Sequence, residues 1–460
     1  MAVLRRLLPQ VCTNRHNAFL GHMLVFLLPK LGLSYIVRRD IQGCVEARIR
    51  FLQYPAPQLD DLLALARKLG GPDGLRRRAA QVVADIEGKV SAKRTSPPGT
   101  TVAIDADVLS ELRALHPNGS PELAFHWNAP VPRAVDFKSF IRRAIHSLDH
   151  NSAPGPSGWT PSLVSSAINL EAFAKYLNNQ LDAMRCGEAD GKPFFCASRL
   201  TCIAKSNGGI RPIAVSEIFY RVLMRSVLHH YGDVCAGLRR TQFGLNTPGG
   251  VEPIMNAVER AVDGSFPCAQ ITHMDFSNAF NSISRNAIAK AINERYKSLY
   301  HLTRWAYCDS TPLLIASQRD GSVCYAEMES REGIRQGDPL GPLLFCAGFR
   351  EYLDTLEETL GRGHTILSYL DDVIIISERT ADVAGAAVQV SETNSFGLRL
   401  NTEKSQSLSR EQVITSGMYV LGTFLHGCPH APHLPPKKIR TNNQPYTSSR
   451  LRRLKRSRHM

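Results

Sequence analysis

From about residue 190 to Gly427, short β-branched runs alternate with longer stretches in which apolar residues return every three or four positions. That pattern predicts strands alternating with helices. Val373 to Ile376 is β-branched throughout and predicts a buried strand. Three helices stand out. "SEIFYRVLMRSVLHHY" starts on Ser216 as an N-cap, with Phe219, Val222, Leu223 and Val227 along one side. "NSISRNAIAKAINERY" carries Ile283, Ala287, Ile288, Ala291 and Ile292 at helical spacing, and "PLGPLLFCAGFREYLDTLEETLG" has Pro339 near its first turn and a stop at Gly361. Upstream, "LDDLLALARKLG" is apolar at Leu59, Leu62, Leu63, Ala66 and Leu69 and stops at Gly70-Gly71, so residues 1–92 read as a helical extension. Residues 93–149 read as a linker, "KRTSPPGTT", followed by a helical segment from Phe137 to Leu148. "NSAPGPSGWTPS" (Asn151–Ser162) is a Gly/Pro loop from which a helix departs. Beyond Gly427, Pro, His and basic residues dominate and no core pattern survives, which predicts a disordered tail over 428–460.

Charge sharpens this division. The chain has 460 residues and a net charge of +14. Six Lys/Arg and no acid lie in residues 1–39, and nine and no acid lie in residues 437–460. The middle, with 40 basic and 41 acidic residues, is nearly neutral, so the ends rather than the core are suited to phosphates or acidic surfaces. Two solvated tails are the plainer explanation. Eleven scattered cysteines without a C-x-x-C pair argue against a zinc ribbon or a disulfide framework and suit a reducing, intracellular compartment. His426, Cys428, His430 and His433 lack standard finger spacing. The apolar stretch Ala18–Val37 is interrupted by His22, Pro29 and Lys30, which speaks against a membrane span. The acid-free, Arg-bearing N-terminus loosely matches an organelle presequence, a helical arm being the commoner explanation.

The chemistry sits at strand ends. "SYLDDVIII" places Asp371 and Asp372 side by side at the mouth of the predicted buried strand, where like charges persist only if compensated. "ITHMDFSNAFNSI" places Asp275 after a short strand and ahead of a helix. Alone, Asp275 reads as an N-cap. Together, one strand-borne and two hairpin aspartates form a three-carboxylate set suited to two Mg²⁺ ions, which take oxygen ligands and substrate phosphates. "IAKSNGGIRPIAVS" predicts a hairpin about Gly208-Gly209 with Lys205 and Arg211 near its ends, cations suited to a triphosphate. "EGIRQGDPLGPLLF" places Gln336-Gly337 in a loop before a helix, where glycine permits a close backbone approach.

Read in order, "SAPGPSGW", "KSNGGIRPIAVSEIFYRV", "QFGLNTPGGVEPI", "MDFSNAFNSI", "GIRQGDPLGPLLF", "SYLDDVIII", "GLRLNTEKS" and "LGTFLHG" resemble the successive blocks of reverse transcriptases, closest to those of non-LTR retrotransposons. The resemblance spans about residues 150–427, with its core at 190–427, and rests on joint order and spacing more than on any single block. It implies an α+β right-hand polymerase, with fingers and an antiparallel palm sheet backed by helices. Asp275 and Asp371 correspond to the main metal ligands, the Phe276 carbonyl assists, and Asp372 is the third carboxylate. Phe280 matches the aromatic that closes the sugar pocket against a 2′-hydroxyl; otherwise it is helix core. Gln336 and Gly337 match the loop at the incoming nucleotide and template, Lys205 and Arg211 the triphosphate-binding residues, and Lys404 a lysine that protonates pyrophosphate. Leu421-Gly422 falls where the primer grip begins.

The implied cofactors are two Mg²⁺ ions, with Mn²⁺ as a substitute, and the implied partners are an RNA template, a DNA primer and dNTPs. An endonuclease would be supplied elsewhere, no membrane is involved, and the location would be nuclear. Ser157 stands where many relatives carry Asp. No apolar-periodic stretch after Gly427 suits a helical thumb, which keeps open a rival reading as an inactive nucleic-acid-binding remnant. An RNA-dependent RNA polymerase is disfavoured by Gln336-Gly337, Phe280 and "YLDD" in place of a "GDD" turn.

Overall fold

Two sheets carry all but two of the strands in the computed structural model, which describes residues 99–425 apart from 120–123, 206–207, 233–236 and 320–321, together with His22, Val25 and Phe26. The first sheet contains β1 (Thr101–Val102), β2 (Ser198–Ala204), β3 (Ile210–Ser216), β5 (Thr311–Arg319) and β6 (Ser322–Ser330). The second is four-stranded in the order β7-β8-β4-β9, from β4 (Gln270–Met274), β7 (His364–Tyr369), β8 (Asp372–Ser377) and β9 (Gln406–Ser409), and every pairing in it is antiparallel. A separate hairpin joins β10 (Met418–Val420) and β11 (Thr423–Leu425). Around these strands lie α1 (Ala106–Ala114), α2 (Lys138–His146), α3 (Pro161–Ala167), α4 (Glu171–Cys186), α5 (Lys192–Phe195), α6 (Ile218–Tyr231), α7 (Val251–Asp263), α8 (Ala279–Ser282), α9 (Arg285–Arg295), α10 (Tyr300–Tyr307), α11 (Gly341–Leu360), α12 (Val383–Thr393) and α13 (Arg410–Ser416). The architecture is mixed α/β.

The unbroken β-branched run of β8 is explained by cover on both faces. Side chains alternate along a strand, so Val373 and Ile375 join the large helical core, which includes Met274, Phe349 and Tyr352. Ile374 and Ile376 face the other way, onto Ile254 and Val258 of α7 and Val413 of α13. With neither face open to water there is no polar position to alternate with.

Several sequence boundaries shift. The N-cap of α6 is Glu217, whose carboxylate accepts from the Ile218 N–H; Ser216 remains in β3, paired with Ser198. The predicted helix over "NSISRNAIAKAINERY" is broken into α8 and α9, and Ile283 lies between them in an extended conformation. Pro339 precedes α11, and Pro342 occupies its first turn. The linker reading of Lys93–Thr101 ends too late, because Thr101 already pairs with Ile203 and the Gly99 N–H donates to the Ala204 carbonyl. The segment read as linker and helix therefore contributes β1 and α1, with Val102, Ile104, Val108 and Leu112 buried against β2 and β5. The predicted helix around Leu59–Leu69, the His426–His433 cluster and the basic tail lie outside the described residues. The Ser157 departure has a local cause: its N–H and hydroxyl both bond the buried Glu217 carboxylate, which an aspartate there would repel.

One polar network crosses the core between the sheets. The Arg335 and Asp338 side chains are buried and paired at 3.0 Å. Asp338 also accepts from the hydroxyls of Tyr220 (2.7 Å) and Tyr307 (2.6 Å), while Arg335 donates to Thr311 Oγ1 at 2.8 Å and its guanidinium lies 4.6 Å from the Tyr307 ring centroid. Burial, aided at Tyr220 by the charge of Asp338, holds both phenols well above their usual pKa, so they remain donors. Asp338→Asn strands the Arg335 charge and is expected to lower unfolding stability by about 3–5 kcal/mol. Tyr307→Phe removes one charge-assisted bond and should cost about 1.5–3 kcal/mol. Urea denaturation of the two variants checks both values and their order.

Candidate active site

The site is assembled by the register of the second sheet. β4 and β8 pair as far as Met274 opposite Val373, and the next residues outward are Asp275 and Asp372. β7 and β8 close with Tyr369 opposite Asp372, leaving Leu370 and Asp371 as a two-residue turn. Asp275 is therefore not an N-cap; α8 begins from Asn278, held in the left-handed region at φ 53°. Both backbone groups of Asp275 are engaged: its N–H donates to Ser405 Oγ at 3.1 Å, and its carbonyl accepts from the Asn401 N–H at 2.8 Å. Since the Ser277 N–H donates to Arg399, this short antiparallel pairing runs through the residues on either side of Phe276. The Phe276 carbonyl takes no part in it. Its ring is buried edge-on to Phe349 and Tyr352, which fixes the backbone there.

The electrostatics show how close these groups stand. Burial, then the charge of Asp372, then that of Asp275, push Asp371 up to about 6, and Arg211 partly opposes them. His273 Nε2 lies 3.5 Å from Asp372 Oδ1. Lys205 is lowered by partial burial and by the charges of Lys404 and Arg211, with Asp275 and Glu111 opposing. Three cations from two loops and a strand thus gather beside three carboxylates. Among the described residues, no group of three or more His, Cys, Asp or Glu side chains forms a metal-binding cluster on its own. The donors nonetheless suit a hard divalent cation: they are crowded carboxylate oxygens, beside a backbone carbonyl that the strand pairing leaves over.

The remaining predicted residues have definite places. Phe280 lies flat on Phe345, with centroids 4.3 Å apart and 11° between planes. The Gln336 carbonyl accepts from the Ala214 N–H at 2.7 Å. Gly337 has φ 118°, and a Cβ there would come within 2.4 Å of the Ala214 carbonyl, so the close approach this glycine permits is to β3. Leu421 and Gly422 form the turn between β10 and β11, both with positive φ as a two-residue hairpin turn of type I′ requires. That hairpin rests through Met418 and Val420 on the same cluster as Leu367 and Tyr369, next to the aspartate turn. Sequence reasoning missed Arg335 and Asp338, which flank Gln336-Gly337 and anchor that loop in the core. Their opposite charges three residues apart were the available signal. It also missed Glu111 of α1, which accepts from the Ile210 N–H at 3.3 Å and belongs to the Lys205 surroundings.

The profile of the family described as reverse transcriptase (RNA-dependent DNA polymerase) matches residues 203–425, the span that holds Lys205, Arg211, the three aspartates and the other site residues expected from the sequence. This region is a reverse transcriptase domain. Its relatives are polymerases of non-LTR retrotransposons. The retrotransposable element SLACS 132 kDa protein of Trypanosoma brucei gambiense is 27% identical over 292 residues, covering 60% of this chain and 23% of the relative. The Pol polyprotein of element R2DM from Drosophila melanogaster is 27% identical over 272 residues, 55% of this chain and 24% of that protein. A Pol polyprotein of an R2 element from Popillia japonica is 29% identical over 153 residues, 30% of this chain and 20% of the relative. The alignments thus span about a quarter of the length of these curated relatives. Among solved structures, apo telomerase from Candida tropicalis aligns with 76% of this chain and 69% of its own, at 13% identity and a TM-score of 0.40. No helix among the described residues is long and apolar enough to cross a membrane.

The raised pKa of Asp371 has a thermodynamic consequence in the reverse transcriptase domain. Because the folded value lies above the unfolded one, this group's contribution to stability is fully present below about pH 4 and is lost as pH rises through about 6. With divalent ions chelated, Asp371→Asn should raise stability at pH 7–8 by on the order of 1 kcal/mol and leave it unchanged near pH 3.5. Thermal melts across that pH range test the sign.

Proposed function

We propose that the chain is an RNA-directed DNA polymerase that adds deoxynucleotides to a primer 3′-hydroxyl. The observation that carries this reading is the meeting of Asp275, Asp371 and Asp372 with Lys205, Arg211 and Lys404 around one sheet end. The second sheet serves as the palm and the β2–β3 hairpin as fingers. This unit, read from residue 150 onward in the sequence, takes in residues 99–149 as well, because β1 and α1 belong to its sheet and core.

Asp275, Asp371 and Asp372, with the Phe276 carbonyl, hold two Mg²⁺ ions, which Mn²⁺ can replace. When bound, the ions supply the positive charge that stabilises the attacking 3′-oxygen and the leaving pyrophosphate. Lys205 and Arg211 bind the triphosphate, Arg211 by its planar fork and Lys205 as a point charge. Lys404 donates a proton to the departing pyrophosphate. Phe280, kept flat by Phe345, fills the space a 2′-hydroxyl would need, and Gln336 and Gly337 support the nucleotide paired with template RNA. Leu421 and Gly422 open the primer grip. Such an enzyme works in the nucleus.

Primer extension on an RNA template is the deciding assay. The purified chain is expected to incorporate dNTPs with Mg²⁺, and Asp371→Ala to abolish incorporation with the fold retained by circular dichroism. An unmutated chain that extends no primer at any Mg²⁺ or Mn²⁺ concentration would sink the reading in favour of nucleic-acid binding alone. Phe280→Ala is expected to weaken discrimination against ribonucleotides by about tenfold or more. Unchanged discrimination in a dNTP/rNTP competition would remove Phe280 from that role.

A further inference from the structure

Leu370 occupies the first position of the two-residue turn that presents Asp371, and its φ is 55°. Asp371 has no positive φ, so the turn has the φ pattern of type II′, whose first central residue is ordinarily glycine. A leucine held there is disfavoured and persists only if its surroundings over-determine it. The surroundings come from the block "QFG", to which the reading above gives no task. Gln242 is buried, and its side chain grips both backbone groups of Leu370. Its Oε1 accepts from the Leu370 N–H at 2.8 Å, and its Nε2 donates to the Leu370 carbonyl at 3.3 Å. The same Oε1 accepts from the Gly244 N–H at 3.0 Å, which fixes the amide's orientation. The segment is itself tied to the outer edge of β7: the Phe243 N–H donates to the Ser368 carbonyl (2.8 Å), and the Ser368 N–H to the Thr241 carbonyl (2.9 Å). A Cβ at Gly244 would stand 2.4 Å from the Leu370 nitrogen, so the segment lies flat against the turn.

We propose that Gln242 is a positioning residue for the polymerase reaction: it holds Leu370 in the left-handed conformation and thereby fixes the direction in which Asp371 points. Without that grip, Leu370 relaxes to negative φ, the Leu370–Asp371 peptide rotates, and Asp371 leaves the neighbourhood of Asp275. The inference rests on the proposed role of Asp371 in nucleotide addition. Leucine, unlike glycine, also packs on the core through its side chain, so the clamp yields a turn that is both left-handed and anchored.

Gln242→Met keeps the length and removes both the donor and the acceptor. On a primed RNA template it is expected to lower kcat by about tenfold or more, with the KM for dNTP changed by less than about threefold. In the ion-free protein, amide exchange at Leu370 should speed up by about tenfold or more, while Leu367 and Ile374 remain protected. Adding Leu370→Gly should restore most of kcat, since glycine adopts positive φ unaided. That rescue separates a backbone clamp from simple packing. Unchanged Leu370 exchange in Gln242→Met, or a double variant as slow as the single one, overturns the proposal. Should Gln242→Met fail to fold, Gln242→Glu retains the acceptor and loses only the donor to Leu370; its smaller loss must likewise be rescued by Leu370→Gly. If the unmutated chain extends no primer, the polymerase reading fails, and the exchange measurement still decides whether Gln242 holds the turn.

Discussion

The buried ion pair between Arg335 and Asp338 is the constraint on which the rest of the domain depends. Burying two charges is unfavourable unless hydrogen bonds offset the lost hydration, and here most of the partners come from other elements of the chain. Tyr220 belongs to α6, Tyr307 to α10 and Thr311 to β5. Satisfying one pair of charges therefore fixes the mutual arrangement of two helices and the first sheet. The pair also brackets Gln336-Gly337, so the loop that meets β3 at Ala214 is set from beneath by the core. Its position depends little on its own exposed residues.

A second constraint works at the carboxylates themselves. Three aspartates at one sheet end oppose folding, as the raised pKa of Asp371 records. The backbone around them is correspondingly over-determined: Asp275 is bonded at both its N–H and its carbonyl, and Leu370 likewise. Local strain and like-charge repulsion at one place, with bonds spent on holding them, are what a site organised for charged substrates requires.

Much of this was legible from residue order. The β-branched run of β8, the hairpin about Gly208-Gly209, the end of α11 at Gly361 and the meeting of Asp275 with Asp371 and Asp372 follow from periodicity, turn chemistry and motif spacing. What escaped depends on contacts between distant segments. Nothing local in "TVAID" says that Thr101 pairs with Ile203, since two residues carry no periodicity. The N-cap of α6 moved to Glu217 because β3 keeps Ser216 in register with Ser198, a tertiary demand that overrides the usual serine preference. The tasks of Arg335, Asp338 and Gln242 were invisible for the same reason. A charge or amide in a motif looks solvent-facing until its partners on other elements are known.

The contact between Gln336 and Ala214 carries a mechanical consequence. In β3 the N–H of Ala214 points away from β2, toward the Gln336 carbonyl. Pro212, two residues earlier, shares that outward parity, so its missing N–H sacrifices no ladder bond. Arg211 is therefore carried on the same short lever that is latched to the Gln336 loop. A swing of the β2–β3 hairpin cannot leave that loop behind without breaking the 2.7 Å bond or driving Ala214 into Gly337. In the proposed polymerase, the phosphate end and the base end of a bound nucleotide would then be gripped or released in a single stroke.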